Sequence, residues 1–437
     1  LTYAGPQPTF PPALRGWFAV GVLFLLYILA LSNRYLVALL VGPMKRDLAL
    51  SDLEISLLTG PAFGILFALA SIPLGLVLDR FSRRLVIYWS VSVWSIATIL
   101  CGLAVGFPAL LGARALLGAS QAGFGTGSYA IIGDSFPPDR IAIPMSVFVM
   151  GGTMGSGIVY LIGGPLIGAL TSWGPVDISV LGILQPWQQA FLAIGTPGLL
   201  LAGLVFLLHE STRERATSVH WKHYLEAWQF VRLRPGMFGA MFVGFGIIFA
   251  AIIGIQMWTP AYFARTFHWS ASTIGMSLGL AQIVGAAGMP VHGMIVSWLQ
   301  RRGVKNAALF WCSFSSILAV PPAIAIYTVA DPNWAVTFYC LFMIVVLASS
   351  GMGPALVQMQ SPDHLRGRIS ALYAVISGLI AMGLGPSIVA ALTDLVFKDE
   401  MALGASIITM IAIMLPLSAA IMAMGGGFAP RAYFSWR

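Results

Sequence analysis

Twelve apolar stretches constrain this chain more than any other feature. They cover roughly 17–41, 54–78, 85–105, 108–133, 142–171 and 189–208, then 237–264, 272–298, 306–328, 333–357, 367–396 and 402–425. A bilayer's hydrocarbon core is crossed by about 20 apolar residues in helical form. Of the 437 residues, 9% are charged, where a soluble domain carries roughly 25%. The expected fold is therefore all-α and integral to a membrane, with twelve transmembrane helices and little room for a soluble domain.

The basic residues orient those spans. With both termini on the cytoplasmic side, seventeen Lys and Arg fall in cytoplasmic segments and four (Lys45, Arg46, Arg265 and Lys398) on the opposite side. That bias is the positive-inside pattern. It accounts for the net charge of +8 without invoking nucleic acid. The expected location is a plasma membrane, the inner one in a bacterium. The expected domains are an N-terminal tail (1–16), a six-helix half (17–208), a cytoplasmic linker (209–235), a second six-helix half (236–425) and a C-terminal tail (426–437). Within the linker, Trp221, Leu225 and Trp228 recur at helical spacing. They suit an amphipathic helix on the membrane surface, or an ordered linker without lipid contact. Cys101, Cys312 and Cys340 all lie in apolar stretches and read as small buried hydrophobes, so no disulfide framework, metal site or cofactor is implied. There is no cleavable signal pattern. The chain opens on Leu1 and a Pro-rich stretch, so the native N-terminus is expected upstream.

The two halves read as repeats. Gly75, Asp79 and Arg83-Arg84 follow the second stretch; Gly293, Ser297 and Arg301-Arg302 stand 218 residues later, after the eighth. Gly125, Gly127 and Arg140 recur as Gly351, Gly353 and Arg366, 226 residues on. Parallel six-helix repeats are a transporter arrangement, with substrate held between them near the midplane.

Two arginines, Arg34 and Arg114, sit inside apolar stretches. An arginine at the centre of a span costs about 2.5–3.5 kcal/mol on insertion scales, so each marks a functional site that needs a partner. Neither stretch supplies a nearby acid. Asn33 precedes Arg34, and Gln121 stands seven residues after Arg114, on the same helical face. A guanidinium keeps its charge and binds phosphate bidentately, so the four residues read as a site for an anionic headgroup. The bland alternative is that both arginines bond to helix carbonyls.

Gly75…Asp79-Arg80…Arg83-Arg84 sits on a tight cytoplasmic turn. It reads as a gate in which Asp79 faces the start of the eleventh helix and Arg83 pairs with Asp134, with Arg140 nearby. This segment resembles the signature loop of the major facilitator superfamily, and the twelve-span layout agrees along nearly the whole chain. Arg114-Ala-Leu-Leu-Gly118-Ala-Ser-Gln121-Ala-Gly123-Phe-Gly125, Asp134-Ser-Phe-Pro-Pro-Asp-Arg140 and Asn33-Arg34 resemble the spinster branch. That resemblance implies the major facilitator fold, and transport of lysolipids such as sphingosine-1-phosphate and lysophospholipids. It also implies an aspartate at position 33 and a glutamate at position 121, where this chain has amides. An amide is the nearest mimic of a protonated carboxyl. The pair therefore reads as introduced substitutions imitating the protonated state, against natural drift in a branch that does not use protons.

Tyr27, Tyr129, Gln256, Trp258, Met276, Gln282, Met352 and Tyr373 are candidate cavity-lining residues. His292 reads as a packing residue. The glycines of the fifth and eleventh stretches suit helices that approach closely and slide. The expected function is secondary active, proton-coupled transport of an anionic amphiphilic lipid by alternating access, in a monomer whose partners are substrate, protons and bilayer lipid. A drug–proton antiporter is the rival within transport, but it wants an intramembrane acid. A membrane-embedded enzyme needs a nucleophile with its base or clustered metal ligands, and no stretch offers either.

Overall fold

In the computed structural model, residues 11–137, 140–179, 182–210, 222–304, 306–362 and 365–427 are described. The first half comprises α1 (Ala13–Leu48), α2 (Asp52–Thr59), α3 (Pro61–Arg80), α4 (Arg83–Gly102), α5 (Phe107–Ser135), α6 (Ala142–Trp173) and α7 (Pro186–Ala202). A short hairpin, β1 (Val176–Ile178) and β2 (Gly182–Leu184), pairs antiparallel between α6 and α7. The linker contributes α8 (Lys222–Arg232). The second half holds α9 (Pro235–Gly239), α10 (Phe245–Thr266), α11 (Ala271–Ala287), α12 (Met289–Arg301), α13 (Ala307–Leu318), α14 (Val320–Ala325), α15 (Pro332–Val346), α16 (Ala348–Met359), α17 (Arg366–Ala391) and α18 (Leu403–Gly427).

Several spans are interrupted where the sequence interrupts them. Gly60 breaks α2 from α3, and Pro61 opens α3 at a position where a missing N–H costs nothing. Gly288 separates α11 from α12 within the eighth span, ten residues later in the repeat than Gly60 lies in the second. Ser51 starts α2 with a capping box, its Oγ accepting from Glu54 N–H while the Glu54 carboxylate accepts from Ser51 N–H.

Among the described residues, eleven helical segments are long and apolar enough to cross a membrane, and a shorter apolar helix covers Ile143–Gly152. The fourth of the twelve sequence stretches, α5, is the exception. It forms 29 helical residues, ample in length, but it is not among the eleven by composition. Arg114, Asp134 and its many small residues dilute it, and packing against α3 and α4 holds it in the bundle.

The core shows how the halves meet. From Leu31 to Met44, the buried residues of α1 belong to one apolar cluster that continues into α10, α11, α15 and α17 of the second half. From Ala19 to Ala30, they belong to a second cluster whose buried members all come from the first half. The halves are thus packed together at the end carrying Lys45, and each keeps its own core toward the end carrying Arg83.

Glycine sets the closeness of that packing. The fifth span, α6, lies against α11, and the eleventh, α17, lies against α2 and α3. A Cβ on Gly275 would stand 2.3 Å from the Tyr160 carbonyl, and one on Gly279 would stand 2.7 Å from the Gly157 carbonyl. The two glycine-rich spans are therefore not each other's partners. Each crosses to a different helix of the opposite half.

Trp221 lies outside the described residues. The linker helix α8 buries Ala227 and Val231 and leaves Leu225 and Trp228 exposed.

Candidate functional site

A cavity of about 410 Å³ lies between the halves on the Arg83 side of the packed region. Tyr27, Ala30, Leu31 and Arg34 line it from α1, Phe67 and Ser71 from α3, and Gln121, Ala122, Phe124, Gly125, Thr126 and Tyr129 from α5. Phe148 of α6 completes the first-half wall. The second half contributes Ala371, Leu372, Ala374, Val375 and Met382, all from α17. The polar groups therefore belong to the first half, and the second half supplies an aliphatic face.

Among the described residues that line it, Arg34 is the one cation and none is an acid. Its Cζ lies 4.4 Å from the centroid of the Phe63 ring, a cation–π contact that holds the guanidinium without neutralising it. Its Nε has no partner among the described residues. Gln121 reaches across from α5, its Nε2 donating to the Ala30 carbonyl at 3.1 Å. Tyr27 stacks on Phe148 with ring centroids 5.0 Å apart, and Tyr129 meets the same ring edge-on at 5.3 Å. The wall between Arg34 and the open side is thus aromatic.

Arg114 and Asn33 do not line this cavity. Adjacent residues on a helix point about 100° apart, so Arg34 facing the cavity turns Asn33 away from it. Asn33 is 1% exposed and Arg114 2%. Nη1 of Arg114 donates to the Asn33 carbonyl at 2.7 Å. Gln121 and Arg114 do share one face of α5, and both grip carbonyls of α1, but only Gln121 also reaches the cavity.

Of the eight candidate lining residues, Tyr27 and Tyr129 line the cavity, and the structure places the other six elsewhere. Tyr35 Oη donates to Gln256 Oε1 at 3.1 Å, and Tyr160 Oη donates to the Gln256 carbonyl at 2.5 Å. Gln282 donates to Tyr339 Oη at 3.0 Å. These groups form a buried polar seam where the halves are packed together. Trp258 donates to the Pro386 carbonyl at 3.0 Å. Tyr373 is buried against Phe242 and Phe245. Met352 packs beside Cys312, and Met276 is 52% exposed on the outside of α11. His292 is held by the Ile344 carbonyl and Trp311, as a packing residue would be.

Arg83 does pair with Asp134, and it also donates to the Ala130 carbonyl at 3.1 Å. Both partners sit on α5, so this pair joins α4 to α5 within the first half. It cannot by itself lock one half to the other, as the sequence reading had it. The Asp79 side chain lies outside the described residues. Arg80 and Arg140 are exposed at the same end.

Sequence reasoning missed Glu210. Its carboxylate accepts from Ser82 Oγ at 2.5 Å, from Arg83 N–H at 2.6 Å and from Arg84 Nε at 3.1 Å. Burial works against its ionisation, but the three hydrogen bonds and the Arg84 charge together hold its carboxyl below the ordinary glutamate value.

Sequence reasoning also missed the ion pairs that do cross between halves, at the Lys45 end. Asp52, fully buried, accepts both Arg265 Nη1 at 2.8 Å and Nη2 at 2.6 Å, a bidentate pair. Lys45 bonds Asp52 at 2.6 Å and Glu400 at 2.8 Å. Asp394 accepts the Leu53 N–H at 2.7 Å, so it joins α2 to the second half. Asp52 and Arg265 stand 213 residues apart, and no local pattern links them.

Two helical halves packed at one end, with a cation-bearing cavity between them, define a membrane transporter. The chain belongs to the Major Facilitator Superfamily, whose family model matches residues 23–386. It is 27% identical over 410 residues to an MFS-type efflux pump of Mycolicibacterium smegmatis, covering 92% of this chain and 90% of that one. It is 23% identical over 433 residues to protein spinster homolog 1 of Xenopus laevis, covering 95% and 80%. The crystal structure of a bacterial homolog of the human lysosomal transporter spinster, inward-facing and occupied, superposes with a TM-score of 0.76 at 22% identity, over 97% of each chain.

Proposed function

We propose that this protein is a secondary active transporter of anionic amphiphiles, of the lysophospholipid or sphingosine-1-phosphate type, working by alternating access. The observation that carries the reading is Arg34, a guanidinium without a carboxylate in a cavity whose other walls are aromatic and aliphatic. A phosphate headgroup would take both faces of that fork. The acyl chain would run over Phe67, Phe148 and the α17 face. The similarity to spinster proteins supports the same substrate class. By the positive-inside rule the Arg83 end is the expected cytoplasmic side, and the halves are packed together at the opposite end.

The same geometry bears on how proton coupling would arise at this site. A carboxylate in the cavity would compete with the headgroup for Arg34, and protonation would release it. With an amide at Gln121 that competitor is absent. Headgroup binding by this chain is therefore expected to be insensitive to pH, and Gln121→Glu to make it fall as the glutamate ionises. The drug-export reading draws on the efflux-pump relative and the aromatic wall. Against it stands the absence of an acid among the lining residues, which a cationic drug would want.

The test is uptake into proteoliposomes of a labelled lysophospholipid against a quaternary ammonium drug. Arg34→Gln is expected to lower lysophospholipid transport at least about tenfold, because a buried charge pair is lost. Arg34→Lys is expected to lose less. Lysophospholipid transport that survives Arg34→Gln, or transport of the drug alone, overturns the reading.

A further inference from the structure

Arg114 presents a different problem from Arg34. It is shut away from the cavity at 2% exposure, yet only one of its nitrogens, Nη1, is bonded, to the neutral Asn33 carbonyl. Nε and Nη2 have no partner among the described residues, and neither do Nδ2 and Oδ1 of Asn33. The Phe191 ring lies 5.4 Å from Cζ, a cation–π contact that supplies no counter-charge. Among the described residues, no carboxylate makes a hydrogen bond or ion pair with it.

A guanidinium keeps its proton at cellular pH, so Arg114 cannot escape its burial by becoming neutral. An isolated buried charge is costly unless paired and hydrogen-bonded. Arg34 can meet that cost with a substrate that enters its cavity. Arg114 is not among the residues that line that cavity. Three of the four orphaned atoms are donors: Nε and Nη2 of Arg114, and Nδ2 of Asn33. Donors gathered at a fixed positive charge select an anion. Enclosure among α1, α5 and the Phe191 ring of α7 selects a small one.

We propose that Arg114 and Asn33 form a binding site for a small monovalent inorganic anion, for which chloride is the probe. The anion accepts from Arg114 Nε–H and Nη2–H and from Asn33 Nδ2–H. It thereby ties α5 to α1 one residue away from Arg34, so its occupancy also fixes the helix that presents the headgroup site. The inference is independent of which substrate the cavity takes.

The experiment uses the full chain, purified in detergent, with sodium gluconate replaced stepwise by sodium chloride or bromide at constant ionic strength. A ligand that binds only the folded state raises the unfolding midpoint as it saturates its site. The midpoint is expected to rise saturably by several degrees with either halide, and bromide is expected to give an anomalous diffraction peak beside Arg114. Asn33→Asp supplies a carboxylate in the same place. In gluconate it is expected to unfold no earlier than the unsubstituted protein in saturating chloride, and to lose the halide response. Arg114→Met is expected to lose the response as well; should it fail to fold, Asn33→Asp alone decides. Equal midpoints in chloride and gluconate overturn the proposal. So does a halide response that persists in Asn33→Asp.

Discussion

The two ends of the half–half interface use the same chemistry to different effect. At the Lys45 end, Asp52, Arg265, Lys45 and Glu400 make ion pairs that cross from one half to the other. At the Arg83 end, Arg83–Asp134 joins α4 to α5, and Arg84–Glu210 ties the start of the linker to the first half. The first set opposes separation of the halves, while the second ties one helix or turn to its neighbour on the same side of the interface. Charge count alone would not separate these roles, since both ends carry clustered basic residues. What differs is where each acid sits.

The largest expected effect on this contrast is from Asp52→Asn. Removing one partner of a buried ion pair costs about 3–5 kcal/mol, and here it strands Arg265 and Lys45 together. Spin labels at Ser172 and Met401, one on each half at the Lys45 end, are expected to show a population in which that end has opened. An unchanged distance distribution breaks the comparison.

Gly275→Leu attacks the same end by packing instead of charge. A side chain there meets the Tyr160 carbonyl, and overpacking of this kind costs about 1–3 kcal/mol. The same label pair is expected to move in the same direction, by a smaller shift in population. Arg83→Gln is the counterpart at the other end. It is expected to loosen the start of α4, by about 1 kcal/mol for a partly exposed pair, seen as faster amide exchange there. It is expected to leave the Ser172–Met401 distances unchanged.

Glu210 gives the smallest effect and a distinct sign. Its carboxyl is held below the ordinary glutamate value, so its contribution to stability is complete above that value. The contribution is lost as pH falls through the lowered one. Amide protection at Ser82–Arg84 is expected to weaken on acidification in the unsubstituted protein, and to be already weak and insensitive to acid in Glu210→Gln.

Much of the architecture was legible because membrane spanning is a local property. A window of about 20 apolar residues suffices to place a span, and the repeated Gly75 and Gly293 segments point to duplicated halves. Only α5 resisted, because Arg114 and a run of small residues lower its hydropathy while packing keeps it in the bundle. The Arg83–Asp134 pair was also anticipated, since both residues lie at the ends of neighbouring spans. The grouping of Asn33 and Arg114 with Arg34 was not borne by the geometry, and the 100° step between Asn33 and Arg34 was the signal that separates them. Gln256 and Gln282 were read as lining a cavity because polar residues in spans often do. Instead they satisfy each other and nearby tyrosines in a closed seam.

By itself, the sequence determined that this chain spans a membrane in two related helical halves and buries guanidinium charge inside them. Those properties follow from residues close together in the chain, where hydropathy and helical rise operate. Tertiary structure alone decided which arginine faces the cavity, which acid crosses between the halves, and that Glu210 clasps the turn at Ser82. Those outcomes depend on helix rotation and on contacts between residues more than a hundred positions apart, and both are set by packing across the whole bundle.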